Sequence, residues 1–170
     1  MNAYINKKAY LHGTKQNNKK GMEKYVIEPL KGFGEISFGM ALDDAVKKLG
    51  SPVFYEELSD MEETGNRSII YEYDDMETNI CFEGITRSVV AYFETENKEA
   101  VLYGTKVFEL SRAEVIVLMQ DNGFKELEEE DEDGEHRVSF GDAMVDFFFD
   151  GDKMTAVSWG VLVDDQGNII

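Results

Sequence analysis

Eleven residues, Phe82-Glu83-Gly84-Ile85-Thr86-Arg87-Ser88-Val89-Val90-Ala91-Tyr92, line up without gaps with Phe149-Asp150-Gly151-Asp152-Lys153-Met154-Thr155-Ala156-Val157-Ser158-Trp159. Aromatic, acid, glycine, hydroxyl, valine and aromatic recur in order. Upstream, Ile80 matches Phe147 and Tyr73 matches Phe140, so an offset of 67 runs through three successive strand-like segments. Such self-similarity constrains a fold more than any local propensity does, because each copy must be able to adopt the same supersecondary unit. The preceding helical segments correspond at an offset of 70, Met40–Leu49 with Leu110–Met119. Ser111 and Glu114 have the spacing of a capping box. The first copy has Ala41 and Asp44 there, so its cap is weaker, and Gly50 and Pro52 stop its helix.

Period-two alternation assigns the faces of the strands. Tyr71, Tyr73, Ile80, Phe82, Val90 and Tyr92 share one parity, matched by Val138, Phe140, Phe147, Phe149, Val157 and Trp159. These are the expected core face, packed against Val46 and Leu49 in one unit and Val115, Leu118 and Met119 in the other. Hairpin turns are expected at Glu83-Gly84 and Asp150-Gly151. The predicted fold class is α+β: two tandem repeats, each a short helical segment followed by an antiparallel sheet of three to four strands, with the helices on one face. The expected organisation is a disordered basic leader over 1–22, a first helix-sheet repeat over 23–104 and a second over 105–170, forming one compact body.

Charge narrows the range of partners. The net charge is −18, and residues 1–22 carry Lys7, Lys8, Lys15, Lys19 and Lys20 with no acid, so the remainder sets 12 basic residues against 35 acidic ones, a balance of −23. A surface of that sign repels nucleic acid and anionic membrane and speeds encounter with a basic protein. The same charge also serves simple solubility. Cys81 is the single cysteine and cannot form an internal disulfide, and no apolar run of membrane-spanning length occurs. With no apolar stretch of secretory-signal type near the start, a cytoplasmic location is expected, with Met22 as an alternative start of translation.

Catalytic constellations are sparse. The two histidines, His12 and His136, lie far apart in the chain, His136 beside an acidic run, and offer little material for a triad. Cys81 falls within a strand and reads as a small hydrophobe rather than a nucleophile. No thiolate metal site and no cofactor are expected, and the chain is read as not an enzyme. The run Glu128-Glu129-Glu130-Asp131-Glu132-Asp133-Gly134-Glu135 admits three readings: a solvated loop, a contact patch for a basic partner, or a calcium-wrapping loop that lacks EF-hand spacing. Gly32, Gly34 and Gly39 have no lysine at the P-loop position, and Glu35 would repel an anion.

The stretch Ile36-Ser37-Phe38-Gly39-Met40-Ala41-Leu42-Asp43-Asp44-Ala45-Val46-Lys47-Lys48-Leu49-Gly50-Ser51-Pro52 resembles the opening motif of the SmpA and BamE lipoprotein family. It is also similar to the tandem units of the β-lactamase inhibitory protein family, a resemblance that extends to acidic immunity proteins of bacterial toxin systems. The second copy keeps Leu110, Ser111, Glu114 and Val115 but not the Gly-Met pair. What the resemblance implies is a concave sheet that grips a partner while helices back its other face. The opposite-parity residues would form that grip, and the expected partner-binding set is Glu72, Asp74, Glu83, Phe93, Asp142, Met144, Asp146, Phe148 and Asp150. Phe93, Met144 and Phe148 would be apolar anchors ringed by carboxylates. The expected function is a non-enzymatic acidic inhibitor, an immunity protein that neutralises a cationic toxin. The alternative is a structural scaffold domain that homodimerises through its sheet face, burying Phe93 and Phe148. The expected partner is a basic protein, with no nucleic acid and no membrane, and the chain itself a monomer or homodimer.

Overall fold

The computed structural model describes residues 24–60 and 66–170. The expected leader over 1–22, with Met22, lies outside the described residues. From Lys24 the chain forms β1 (Val26–Glu28), β2 (Gly32–Phe33), β3 (Ile36–Ser37), α1 (Leu42–Leu49), β4 (Phe54–Asp60), β5 (Asn66–Tyr73), β6 (Thr78–Glu83) and β7 (Val89–Thr95). It continues through β8 (Val101–Leu102), β9 (Thr105–Lys106), α2 (Arg112–Asp121), β10 (Leu127–Glu132), β11 (Glu135–Phe140), β12 (Val145–Asp150) and β13 (Lys153–Gly160). The expectation of two α+β helix-sheet repeats is corrected. The protein is mostly β, with thirteen strands in a five-stranded and an eight-stranded sheet and only two α-helices among the described residues.

Two physical causes account for the difference. The meanders β4–β7 and β10–β13 do not close on themselves: β7 pairs antiparallel with β13, so both lie in one sheet of order β10-β11-β12-β13-β7-β6-β5-β4. The second sheet, β3-β2-β1-β8-β9, is built from strands of two or three residues, too short for alternation to show. The core lies between the two sheets. Trp159 on β13 stacks on Phe93 of β7 at 5.2 Å between ring centroids and meets Phe33 of β2 edge-on at 5.1 Å. Its indole Nε1 donates to the Gly32 carbonyl at 3.0 Å, tying the sheets together. Ala45 of α1 and Val115 and Met119 of α2 are buried into the same cluster.

Helix α2 starts with the capping box predicted from its sequence. Glu114 N donates to Ser111 Oγ at 3.3 Å, and Ser111 N donates to Glu114 Oε2 at 2.8 Å. Those bonds hold the Glu114 carboxyl below its usual pKa. Ser111→Ala should cost about 1 kcal/mol, read as a shift in the urea unfolding midpoint with unchanged slope. Ala41 offers α1 no capping side chain, although Asp43 and Asp44 in its first turn favour the helix dipole.

The offset of 67 persists through the 3₁₀ turns Asp74–Met76 and Gly141–Ala143, the left-handed residues Glu77 and Met144, and a bulge between Cys81 and Phe82 repeated between Phe148 and Phe149. It then breaks. Five residues, Gly84–Ser88, connect β6 to β7, whereas only Gly151 and Asp152 connect β12 to β13. By register Phe82 faces Val90 and Phe149 faces Met154, so the last strands correspond at an offset of 64. Val90 is therefore the counterpart of Met154, and Phe93 that of Val157. The match of Tyr92 to Trp159 is a coincidence of sequence: Trp159 is fully buried, and Tyr92 is 37% exposed on the opposite face of the sheet. The assignment of Tyr92 to the core is corrected accordingly, and Tyr71 is half-buried rather than buried.

The acidic run at 128–135 is the edge hairpin β10–β11, turning at Asp133-Gly134, rather than an irregular loop. Its carboxylates alternate between faces, and a charged edge resists pairing with other chains. His136 clamps this edge. Its Nδ1 lies 2.6 Å from Asp131 and its Nε2 3.1 Å from Glu129. These contacts, Asp131 first, raise the His136 pKa against desolvation and the nearby Arg112. A raised native pKa adds stability that is full below the unfolded value of about 6.5 and is lost as pH rises through the native value. Raising the pH from 6 to 9 should therefore lower the urea midpoint and the protection factors of the β10 amides, taken relative to their intrinsic exchange rates at each pH, while His136→Gln should lose this pH dependence. Equal pH dependence in both proteins would count against the clamp.

Candidate functional site

One face of the eight-stranded sheet is buried against the helices and the small sheet, and the other is open. Pleating places side chains two residues apart on one face, and neighbouring strands lie about 4.8 Å apart. On the open face the register aligns Glu128, Ser139, Asp146, Ser158, Glu94, Asn79, Glu72 and Phe54 in one row across all eight strands. The row spans about 34 Å and carries four carboxylates. Beside it on one flank run Gly160, Tyr92, Cys81, Ile70 and Glu56, and on the other Ala156, Phe148, Arg137 and Glu130. Arg137 is already paired with Glu130. Among the described residues, Glu72, Glu83, Glu94 and Asp146 form no ion pair.

The unpaired carboxylates make this face electronegative. Burial raises the Glu83 pKa, and burial together with Glu96 and Glu135 raises that of Glu94. Burial alone accounts for the Glu83 shift, whereas at Glu94 neighbouring negative charge adds to it. Asp146 accepts a bond from the Ser139 hydroxyl. Burial, reinforced by the Glu83 charge and opposed by a Ser68 hydrogen bond, pushes the Cys81 thiol up to about 12, so it is protonated and unreactive at neutral pH. Among the described residues no group of three or more His, Cys, Asp or Glu could hold a metal ion. A cavity of about 580 Å³ on the covered side, near the start of α1, is lined by Arg67 and Arg87 but also by Asp43 and Glu57, so its charge is balanced.

The structure brings only part of the expected binding set together. Glu72, Glu83, Asp146 and Phe148 share the open face half-buried, with Asp150 exposed at the end of β12. Asp74 lies exposed in the 3₁₀ turn after β5. Asp142 sits in the equivalent turn after β11, where its carboxylate accepts from Lys125 N at 2.7 Å and Glu126 N at 3.3 Å and fastens the chain entering β10. Met144 is a left-handed residue closing that turn, 37% exposed at one end of the sheet. Phe93 is corrected: it is fully buried against Trp159, Phe33 and Phe38 and can neither anchor a partner nor join a dimer contact.

A bulge in β7 is the physical cause. The extra residue, Ala91, reverses parity within β7, turning Phe93 inward and Tyr92 and Glu94 outward. The sequence does carry a signal for it. Val89-Val90-Ala91 interrupts alternation with three successive apolar residues, which a regular strand covered on one face only does not need. Glu128 and Glu130 belong to the acidic run that admits a contact-patch reading, and its unbroken charge hides the alternation of β10.

No protein-family model matches the chain, and no curated protein matches it. Among solved structures, it is similar to an extracellular protein containing a SCP domain from Bacillus anthracis str. Ames, at 12% sequence identity and a TM-score of 0.42. The likeness covers 88% of this chain and 50% of that one, so the chain spans about half the length of that structure.

Proposed function

We propose that this protein is a non-enzymatic, cytoplasmic inhibitor that docks a basic protein on the open face of its eight-stranded sheet, as an immunity protein would neutralise a cationic toxin. The observation that carries this reading is the row of four carboxylates crossing the whole sheet, with Phe54 at its end and Tyr92, Ile70 and Phe148 beside it. Unpaired charge interleaved with apolar side chains on a rigid surface supplies steering at long range and desolvated contact at short range. Rigidity matters here because a sheet already ordered loses little further freedom on binding.

The test begins with affinity capture from host lysate at low salt, repeated at high salt, and proceeds to association kinetics with the purified captured protein. One basic protein held at both salts is expected. Paired reversal Glu94→Lys and Asp146→Lys should lower its association rate at low salt by about tenfold or more, whereas reversal of Glu109 and Asp121, beyond the sheet, should change it far less. Capture of only a salt-labile mixture, or kinetics indifferent to the face reversal, would overturn the reading.

A further inference from the structure

Ser158 stands at the middle of the acidic row, opposite Asp146 on β12 and Glu94 on β7. Pleating directs it to the same face as both carboxylates. It is 1% exposed, and its hydroxyl is buried with no hydrogen-bond partner. Burial pushes the nearby Tyr92 hydroxyl up in pKa, a contact with Ser158 lowers it, and Glu94 and Asp146 raise it further. That contact falls short of hydrogen-bond geometry, so the serine oxygen stays unsatisfied. An unsatisfied hydroxyl in a buried position is costly and uncommon. Around it are two half-buried carboxylates and one aromatic ring, with no ion pair to either acid among the described residues.

We infer that Asp146, Ser158 and Glu94, walled by Tyr92, form a socket that receives one arginine side chain of the partner protein. This rests on the reading of the open face as the docking surface and specifies its central contact. The acids are two strand spacings apart, about 10 Å between backbones, which leaves room for a planar group between their side chains. A guanidinium offers five donors in a fixed fork, enough to bond both carboxylates and, once the side chains that seal it part, the buried Ser158 oxygen. It is weakly hydrated, so a half-buried position costs it less than it costs an ammonium, and it stacks on an aromatic ring such as Tyr92, which is 37% exposed. Lysine would bring a compact, strongly hydrated charge with its three donors on one nitrogen and no planar face to stack on Tyr92. A metal ion is a poor occupant, since no three-ligand grouping exists among the described residues.

The experiment is a low-salt titration of the isotope-labelled full chain with two blocked tripeptides, Gly-Arg-Gly and Gly-Lys-Gly, followed by amide chemical shifts. The socket predicts saturable shifts centred on Tyr92, Glu94, Asp146 and Ser158, with the arginine peptide bound about fivefold more tightly than the lysine peptide. Ser158→Ala, which removes one acceptor and leaves no oversized group, should weaken arginine binding about threefold while the protein stays folded. Tyr92→Leu should narrow the preference for arginine. Equal binding of both peptides, shifts spread evenly over Glu72, Glu83 and Glu128, or a Ser158→Ala protein that binds as wild type would overturn the socket and leave the acidic face as the docking surface. No shift on this face with either peptide or with deca-arginine would overturn both.

Discussion

Trp159→Ala should lower the stability of the fold by about 3 to 5 kcal/mol, the largest loss expected from any single truncation. Trp159 is completely buried where the two sheets meet. Three separate contributions vanish with it. The stack on Phe93 and the edge contact with Phe33 are lost, a cavity opens that the surrounding strands cannot collapse to fill, and the Gly32 carbonyl loses its indole donor. Trp159→Phe separates these contributions. It keeps most of the packing and removes the indole's bond to the carbonyl, for about 1 to 2 kcal/mol. Urea unfolding followed by far-ultraviolet circular dichroism measures both variants. In the wild type, fluorescence of this single tryptophan reports directly on the junction. A loss below about 1 kcal/mol for the alanine variant would show that the small sheet is held by other contacts.

Gly84→Ala and Gly151→Ala should differ sharply, although the two glycines occupy aligned positions in the sequence. Both have positive φ, +107° and +61°, and alanine pays about 1 kcal/mol for that conformation. The surroundings decide the rest. A Cβ at Gly151 meets nothing within 4 Å, because the two-residue turn projects into solvent. A Cβ at Gly84 would stand 2.2 Å from the Arg87 carbonyl oxygen and 3.3 Å from Gly167 Cα. Neither neighbour is a side chain that can swing away. The five-residue loop is also held from outside, since Ile85 N and Thr86 N donate to the Asp165 carbonyl at 2.9 and 3.0 Å. Shifting the loop therefore loosens the C-terminal segment as well. Gly84→Ala should cost about 3 kcal/mol or more, against about 1 kcal/mol for Gly151→Ala, measured by urea midpoint and by protease cleavage after Gly160. Equal costs would refute the tertiary distinction.

Much of the local structure was legible in the residues. Ser111 and Glu114 announced the start of α2, and the apolar parity of Ile80, Phe82, Val138, Phe140, Phe147 and Phe149 marked six fully buried positions. Both signals are short-range, set by a helical turn and by the pleat, and such effects act within a few residues. The open face was legible in part. Glu72, Glu83, Asp146 and Phe148 fall on it because alternation holds along β5, β6 and β12, whereas Phe93 leaves it and Glu94 joins it because one extra residue in β7 reverses everything beyond it.

By itself the sequence determined the charge of the molecule, the two helices and the pleated alternation of most strands, all of which follow from side-chain chemistry and local backbone sterics. Tertiary structure alone decided that β7 and β13 join two meanders into one sheet, and that strands of two or three residues form another. It also decided that Trp159 and Tyr92, alike in sequence context, face opposite sides. The reason is physical: pairing partners are chosen by the free energy of burying a whole face at once, a quantity that belongs to the assembled chain and to none of its segments.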